Sequence, residues 1–216
     1  MSEAFEKIVY FVRHGQSEGN VSSVFQPLDS PLNNIGKKQA KKIAKRISRI
    51  SFETLLASPL SRAKETAEAI AKVTGKQPKY SELFVERIKP TRILGKSWEN
   101  QEIHMLWKKW EKSLYTPNLR AEDGENFDDL ILRADRALNF LTVCPEKKLV
   151  VVTHGYFLRT IIARVVLGNA LTPKAFRNFQ SRMSVENTGL TVIKYKKEWN
   201  GIAWRLWIYN DYSHLG

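Results

Sequence analysis

The stretch "IVYFVRHGQSEGN" (residues 8–20) changes character in the middle. Five apolar or aromatic residues, Ile8 to Val12, run without interruption and then give way to Arg13, His14 and Gly15. A short run that is apolar on both of its alternating faces fits a strand covered on both sides. The exit of such a strand is a costly place for a guanidinium and an imidazole unless something there uses them.

Two further short runs end in the same way. Thr54–Ala57 leads into Ser58-Pro59-Leu60-Ser61-Arg62, and Leu149–Thr153 leads into His154-Gly155. Between these runs lie stretches with helical spacing: Ile35–Ile50, Arg62–Val73, Glu99–Ser113, Phe127–Val143, Tyr156–Val166 and Pro173–Gln180. Asn33 or Asn34 suits the cap of the first, and Gly75 suits the stop of the second. Strands alternating with helices predict an α/β fold with a mostly parallel central sheet. Ligands of such sheets bind outside the carboxyl ends of the strands. If the three strands are neighbours, two arginines and two histidines meet at one place. That cluster repels itself until an anion neutralises it, and phosphate matches the guanidinium fork.

The rest of the chain sets bounds. In residues 188–211, "TGLTVIKYKKEWNGIAWRLWIYND", two strands are expected around a turn at Asn200-Gly201, with Trp204 and Trp207 as packing residues. Ile35, Ala40, Ile43, Ile47 and Ile50 fall on one helical stripe, and the lysines and arginines between them fill the opposite face. Much of the net charge of +13 is therefore expected to be solvated helix surface. No recognition motif or set of interleaved stacking aromatics suggests a nucleic-acid partner. No apolar run approaches membrane length, so no membrane partner is expected. The single cysteine, Cys144, excludes an internal disulfide framework and fits a reducing, cytoplasmic setting. Cys144 is expected to be inert, and His104 to pack on a helix. Residues 1–216 are expected to form one domain, with an irregular excursion at about 84–125. The oligomeric state stays open, a homodimer included.

The motifs, taken in order, resemble the histidine phosphatase superfamily, the phosphoglycerate mutase-like branch 1. "RHGQSEGN" is similar to its Arg-His-Gly-x-Ser-x-x-Asn signature, and "PLNNIGKKQA" resembles the helix opening after it, with Asn33 where Thr is usual. "SPLSRAKETA", "VTHGYFLRTII" and "ENTGLTVIKY" resemble the later segments. The resemblance implies a three-layer α/β/α domain acting on a small phosphorylated substrate, with no cofactor and no metal. It implies His14 as a nucleophile that becomes phosphohistidine, and Arg13, Arg62 and His154 as catalytic groups that also bind phosphate, together with Asn20 and Gly155. Imidazole attacks only when neutral, with one nitrogen free, and adjacent guanidinium charges favour that form. It also implies a carboxylic acid after the third strand: Glu86 is preferred, with Glu82 as the alternative. Glu125, in "DGENFDDL", has Asn126 where the family has Ser, and is expected to serve a helix N-terminus.

Three functions follow from the resemblance: a phosphomonoesterase, a cofactor-dependent phosphoglycerate mutase, or a phosphate-ligand-binding protein with little activity. The run Glu86-Arg87-Ile88-Lys89-Pro90 stands where the mutases carry Glu-Arg-His-Tyr-Gly, and the covering segment is short, which favours the phosphatase. Lys89, Arg92 and Lys96 lie in the irregular stretch and are candidates to read a second anionic group. That points to sugar phosphates, phosphoglycerate-like acids or nucleotides.

Overall fold

In the computed structural model, described over residues 6–20, 24, 25, 27, 30–197 and 203–216, the Ile8–Val12 run lies within β1 (Lys7–Arg13). The other strands are β2 (Thr54–Ala57), β3 (Pro78–Tyr80), β4 (Lys148–Thr153), β5 (Leu190–Tyr195) and β6 (Trp204–Asp211). Their order in the sheet is β3-β2-β4-β1-β5-β6. The first four run parallel, while β5 and β6 are antiparallel additions at one side. The three strands with charged exits are therefore consecutive neighbours, as the convergence required. In register, Arg13 faces Thr153 and Ala57 faces Val152.

The described residues hold six α-helices: α1 (Asn34–Ile47), α2 (Ser61–Thr74), α3 (Gln101–Lys112), α4 (Phe127–Val143), α5 (Gly155–Leu167) and α6 (Pro173–Arg182), of which α3 stands apart from the sheet. Ile43, Ile47, Ala63, Ala67 and Ile70 of α1 and α2 pack with Val12, Leu55 and Val150 on one face. Leu130, Ala134, Phe157, Leu158 and Ile161 of α4 and α5 pack with Phe11, Val9 and Val151 on the other. The architecture is the three-layer α/β/α one. A separate small core of Phe25, Ile93, Ile103, Leu106, Trp110 and Ala121 sits in the excursion. No helix among the described residues is long and apolar enough to cross a membrane.

Several local expectations hold at the level of single bonds. Asn33 caps α1, its side-chain oxygen accepting from the Gly36 N–H at 2.9 Å. Gly75 ends α2 in the left-handed conformation at φ 70°. Trp110 is buried in the small core, and Trp107 packs against that core, with its ring centroid 6.1 Å from that of Phe25. His104 lies beside Trp107, with ring centroids 5.5 Å apart.

Two expectations fail. Ile35 belongs to the first turn of α1 but is exposed; the buried stripe there uses Gly36, Ala40, Ile43, Ala44 and Ile47, because the turn must press against the loop after β1. Trp207 is exposed too, since it sits on the open side of the edge strand β6, where the Lys194 ammonium lies 3.6 Å from its ring centroid. Trp204 does pack against the core. The expected turn at Asn200-Gly201 lies outside the described residues.

Candidate active site

His14 follows β1 directly and is held by its backbone. Its N–H donates to Thr153 O at 2.9 Å, and its carbonyl accepts from the Asn187 side chain at 2.9 Å. The Thr188 N–H donates to Arg13 O at 2.9 Å, with Thr188 itself at φ 62°. On the imidazole, Nδ1 lies 2.7 Å from Gly15 O. A carbonyl only accepts, so Nδ1 carries the proton and Nε2 keeps its lone pair. The ring is nearly fully buried. Burial, followed by the charges of Arg62 and Arg13, pushes its pKa well below the ordinary histidine value.

His154, at the exit of β4, is fully buried with its ring centroid 5.0 Å from that of His14. Its Nε2 lies 2.8 Å from the Ser58 hydroxyl. Burial and Arg62 again push its pKa well down. Arg62, in the first turn of α2, is buried, and burial lowers its pKa to about 10 while Glu86 opposes the shift. Arg13 donates from Nη1 to Val185 O. Among the described residues, the Nε of Arg13 and the Nδ1 of His154 are buried without a hydrogen-bond partner, an arrangement that folded proteins rarely leave unexplained. All four cationic or imidazole groups are thus gathered at the carboxyl ends of β1, β2 and β4.

The loop carrying His14 is clamped by small groups. Gly15 donates to Thr66 Oγ1 at 3.1 Å, and that hydroxyl donates to Arg62 O at 2.7 Å. A Cβ at Gly36 would stand 1.9 Å from Gln16 O, so the first turn of α1 touches this loop backbone to backbone. A Cβ at Gly155 would stand 3.0 Å from Arg13 Nε, so glycine there leaves space for the guanidinium. Asn20 is exposed, and its side-chain oxygen accepts from the Ser17 N–H at 2.9 Å and the Ser17 hydroxyl at 3.0 Å. Its visible work is to close the 17–20 turn.

Glu86 reaches the cluster from the excursion. Its carboxylate accepts from the backbone N–H groups of Phe157 at 2.9 Å, Tyr156 at 3.2 Å and Arg87 at 3.0 Å. Two of these donors belong to the first turn of α5, where unpaired N–H groups and the helix dipole favour a carboxylate. Glu82 lines the cavity beside Glu86 but is exposed.

The segment carrying Glu86 is fixed by residues that the sequence reading passed over. Arg133 of α4 makes a bidentate pair with Glu125, both contacts 2.7 Å. It also donates to Val85 O at 2.8 Å and Glu86 O at 3.2 Å, while its guanidinium stacks 3.9 Å from the Phe157 ring centroid. Glu125 in turn accepts from the Ile88 N–H at 2.8 Å. The expected capping role of Glu125 is therefore wrong: Asn126 caps α4, in a capping box with Asp129, and Glu125 holds Arg133. Removing one partner of such a buried pair typically costs about 3–5 kcal/mol. Arg87 is buried as well, donating to Glu111 at 2.9 Å and Trp110 O at 2.6 Å and stacking on the Trp110 ring. Ser58 stood in plain view in "SPLSR" and Asn187 in "ENTGLTVIKY"; Arg133 carried no local signal.

The chain is 31% identical to the probable phosphoglycerate mutase GpmB of Photorhabdus laumondii, over 96% of this chain and 94% of that protein. It is 30% identical to the protein of the same name from Proteus mirabilis, with the same coverage. Among solved structures, Bacillus stearothermophilus YhfR superposes with a TM-score of 0.77 at 24% identity, covering 97% of this chain and 100% of that one. The alpha-ribazole phosphatase from Shigella flexneri gives a TM-score of 0.78 at 19% identity, covering 94% and 96%. The family model of the histidine phosphatase superfamily (branch 1) matches residues 9–207, a span that begins in the strand delivering His14 and ends in the strand closing the sheet. A match over that span makes this chain a member of the histidine phosphatase superfamily.

Proposed function

We propose that the chain is a metal-independent phosphomonoesterase that works through a phosphohistidine at His14 on a small anionic phosphate ester. The observation that carries this reading is the buried, neutral His14, with Nδ1 committed to Gly15 O and Nε2 left to attack. In the first half-reaction the Nε2 lone pair forms the N–P bond while the P–O bond to the leaving group breaks. Arg13, Arg62 and His154 stabilise the charge on the equatorial oxygens. Glu86, which enters this step in its protonated form, gives its proton to the departing oxygen. In the second half-reaction water attacks phosphorus, its proton returns to Glu86, and the N–P bond breaks to release phosphate and restore neutral His14.

The role of Glu86 has a specific signature. In Glu86→Gln the rate on an alkyl phosphate, whose leaving group needs the proton, is expected to fall by about a hundredfold or more, within the range of general acid catalysis. A nitrophenyl phosphate, whose leaving group departs unaided, should lose far less. Equal losses on the two esters would reassign Glu86 to binding and move the test to Glu82.

The names of the relatives favour a second reading, phosphoglycerate mutation. A mutase must keep water from its phosphoenzyme while the intermediate turns over, which calls for an extended cover. Here the cover is the 84–125 excursion, with one α-helix (α3) and three residues, Ile88-Lys89-Pro90, in place of His-Tyr-Gly. With 3-phosphoglycerate and catalytic 2,3-bisphosphoglycerate, released phosphate is expected to exceed 2-phosphoglycerate formed. Efficient isomerisation with little phosphate released would make the chain a mutase and leave His14 in place.

A further inference from the structure

We propose that the cavity beside Arg62 and Glu86 accepts a leaving group with a flat, largely apolar body and one acidic substituent, and that Lys89 reads that acid. The inference rests on the hydrolase reading above and names the class of ester that reading leaves open.

The cavity has a volume of about 300 Å³. That is the lower end of the range of small-ligand pockets, about 300–1,000 Å³, and suits a ligand of about one ring with a short arm. Much of its wall is apolar: Pro27, Leu60, Val85, Ile88 and Leu94. Hydroxyl groups of a sugar pressed against these side chains would lose water and gain no partner. The polar groups on the same wall are already committed, with few exceptions. Thr91 donates its hydroxyl and its N–H to Asp123, and Arg87 is spent on Glu111, Trp110 and Glu125.

Lys89 is different. It lines the cavity, yet among the described residues it forms no hydrogen bond and no ion pair, even with Glu82 and Glu86 on the same wall. Burial lowers its pKa, with the charge of Glu86 opposing the shift. A partly desolvated ammonium interacts more strongly with a single anion than an exposed one does. The other two cations of this stretch are not available in the same way. Arg92 is held by Glu102 at 2.8 Å and Glu122 at 2.9 Å, and Lys96 does not line the cavity. Of the three cations on this wall, Arg62 faces the phosphoryl group and Arg87 is tied up, which leaves one uncommitted cation beside apolar side chains; that describes an aromatic or similarly flat acid, where three uncommitted cations would have described a polyphosphate.

The test compares phenyl phosphate, 4-carboxyphenyl phosphate and glycerol 1-phosphate on the wild type, Lys89→Met and Lys89→Glu. The wild type is expected to favour the carboxylated ester over phenyl phosphate by about tenfold in kcat/KM, equivalent to about 1.4 kcal/mol, mainly through KM. It should also show a higher KM for glycerol 1-phosphate than for phenyl phosphate. Lys89→Met should bring the carboxylate preference close to one, and Lys89→Glu should prefer 4-(aminomethyl)phenyl phosphate to the carboxylated ester. A wild type that forms phosphohistidine but shows no carboxylate preference overturns this inference alone. So does a preference that survives in Lys89→Met, or a Lys89 variant that loses all three esters alike. A wild type that hydrolyses none of them and forms no phosphohistidine overturns the hydrolase reading, and this inference with it.

Discussion

His14→Ala is expected to form no phosphoenzyme and to lose turnover by a factor on the order of 10⁴ to 10⁶, the scale of losing a nucleophile. The measurement is a rapid quench with ³²P-labelled ester. The wild type should trap an adduct that is stable in base and labile in acid, because an N–P bond hydrolyses once its nitrogen is protonated. The variant should trap none. The imidazole is buried, but its anchoring is mostly through its own backbone, to Thr153, Asn187 and Thr188, so alanine leaves those bonds standing. A melting temperature close to that of the wild type would show it. A variant that still formed the adduct, or kept its rate, would remove His14 from the mechanism and leave the fold untouched.

Arg62→Ala is expected to cost about 3 kcal/mol in the transition state, roughly a hundredfold in kcat, the effect of deleting one preorganised donor to a developing oxyanion. The loss should fall on kcat more than on KM, because charge moves onto the equatorial oxygens as the phosphoryl group transfers. Arg62→Lys separates charge from shape: it keeps the cation and gives up the two-pronged fork, so it should recover part of the loss and no more. An unchanged kcat in Arg62→Ala would place the guanidinium outside the reacting centre. Arg62 also helps hold two buried imidazoles neutral, so both rings should titrate at higher pH in the variant. NMR of the ring protons would follow that shift directly.

What the chain announces locally and what it conceals divides along physical lines. β1, β2 and β4 are legible because burial on both faces demands continuous apolar runs, and the helices because their buried stripes repeat at helical spacing. β3 has three residues, begins with Pro78 and is largely exposed, so no hydrophobic pattern marks it. His14, Arg62 and His154 are legible because each follows a readable strand. Arg133 is not: it acts on a segment far away in the chain, and nothing near it differs from ordinary helix surface. Asn187 lies in the readable segment "ENTGLTVIKY", but its bond to the His14 carbonyl spans 173 positions and leaves no local mark. Glu125 misled for a related reason. A carboxylate before a helix satisfies a local rule, while its actual partner lies a full turn or more into that helix.

The central place of β1 has a temporal consequence. The strand that ends in His14 is among the first parts of the chain to be made, yet its sheet neighbours are residues 148–153 and 190–195. The residues that grip its exit, Val185, Asn187 and Thr188, also come near the end. At roughly 5–20 residues per second, synthesis leaves on the order of ten to thirty seconds between the appearance of the nucleophile and that of its clamp. Until residues 148–153 are made, β1 lacks its parallel neighbour, and until residues 185–195 are made, the exit that holds Arg13 and His14 lacks its clamp. On the proposed mechanism, a ribosome-bound fragment is expected to be silent towards phosphate esters until the last strands close over the first.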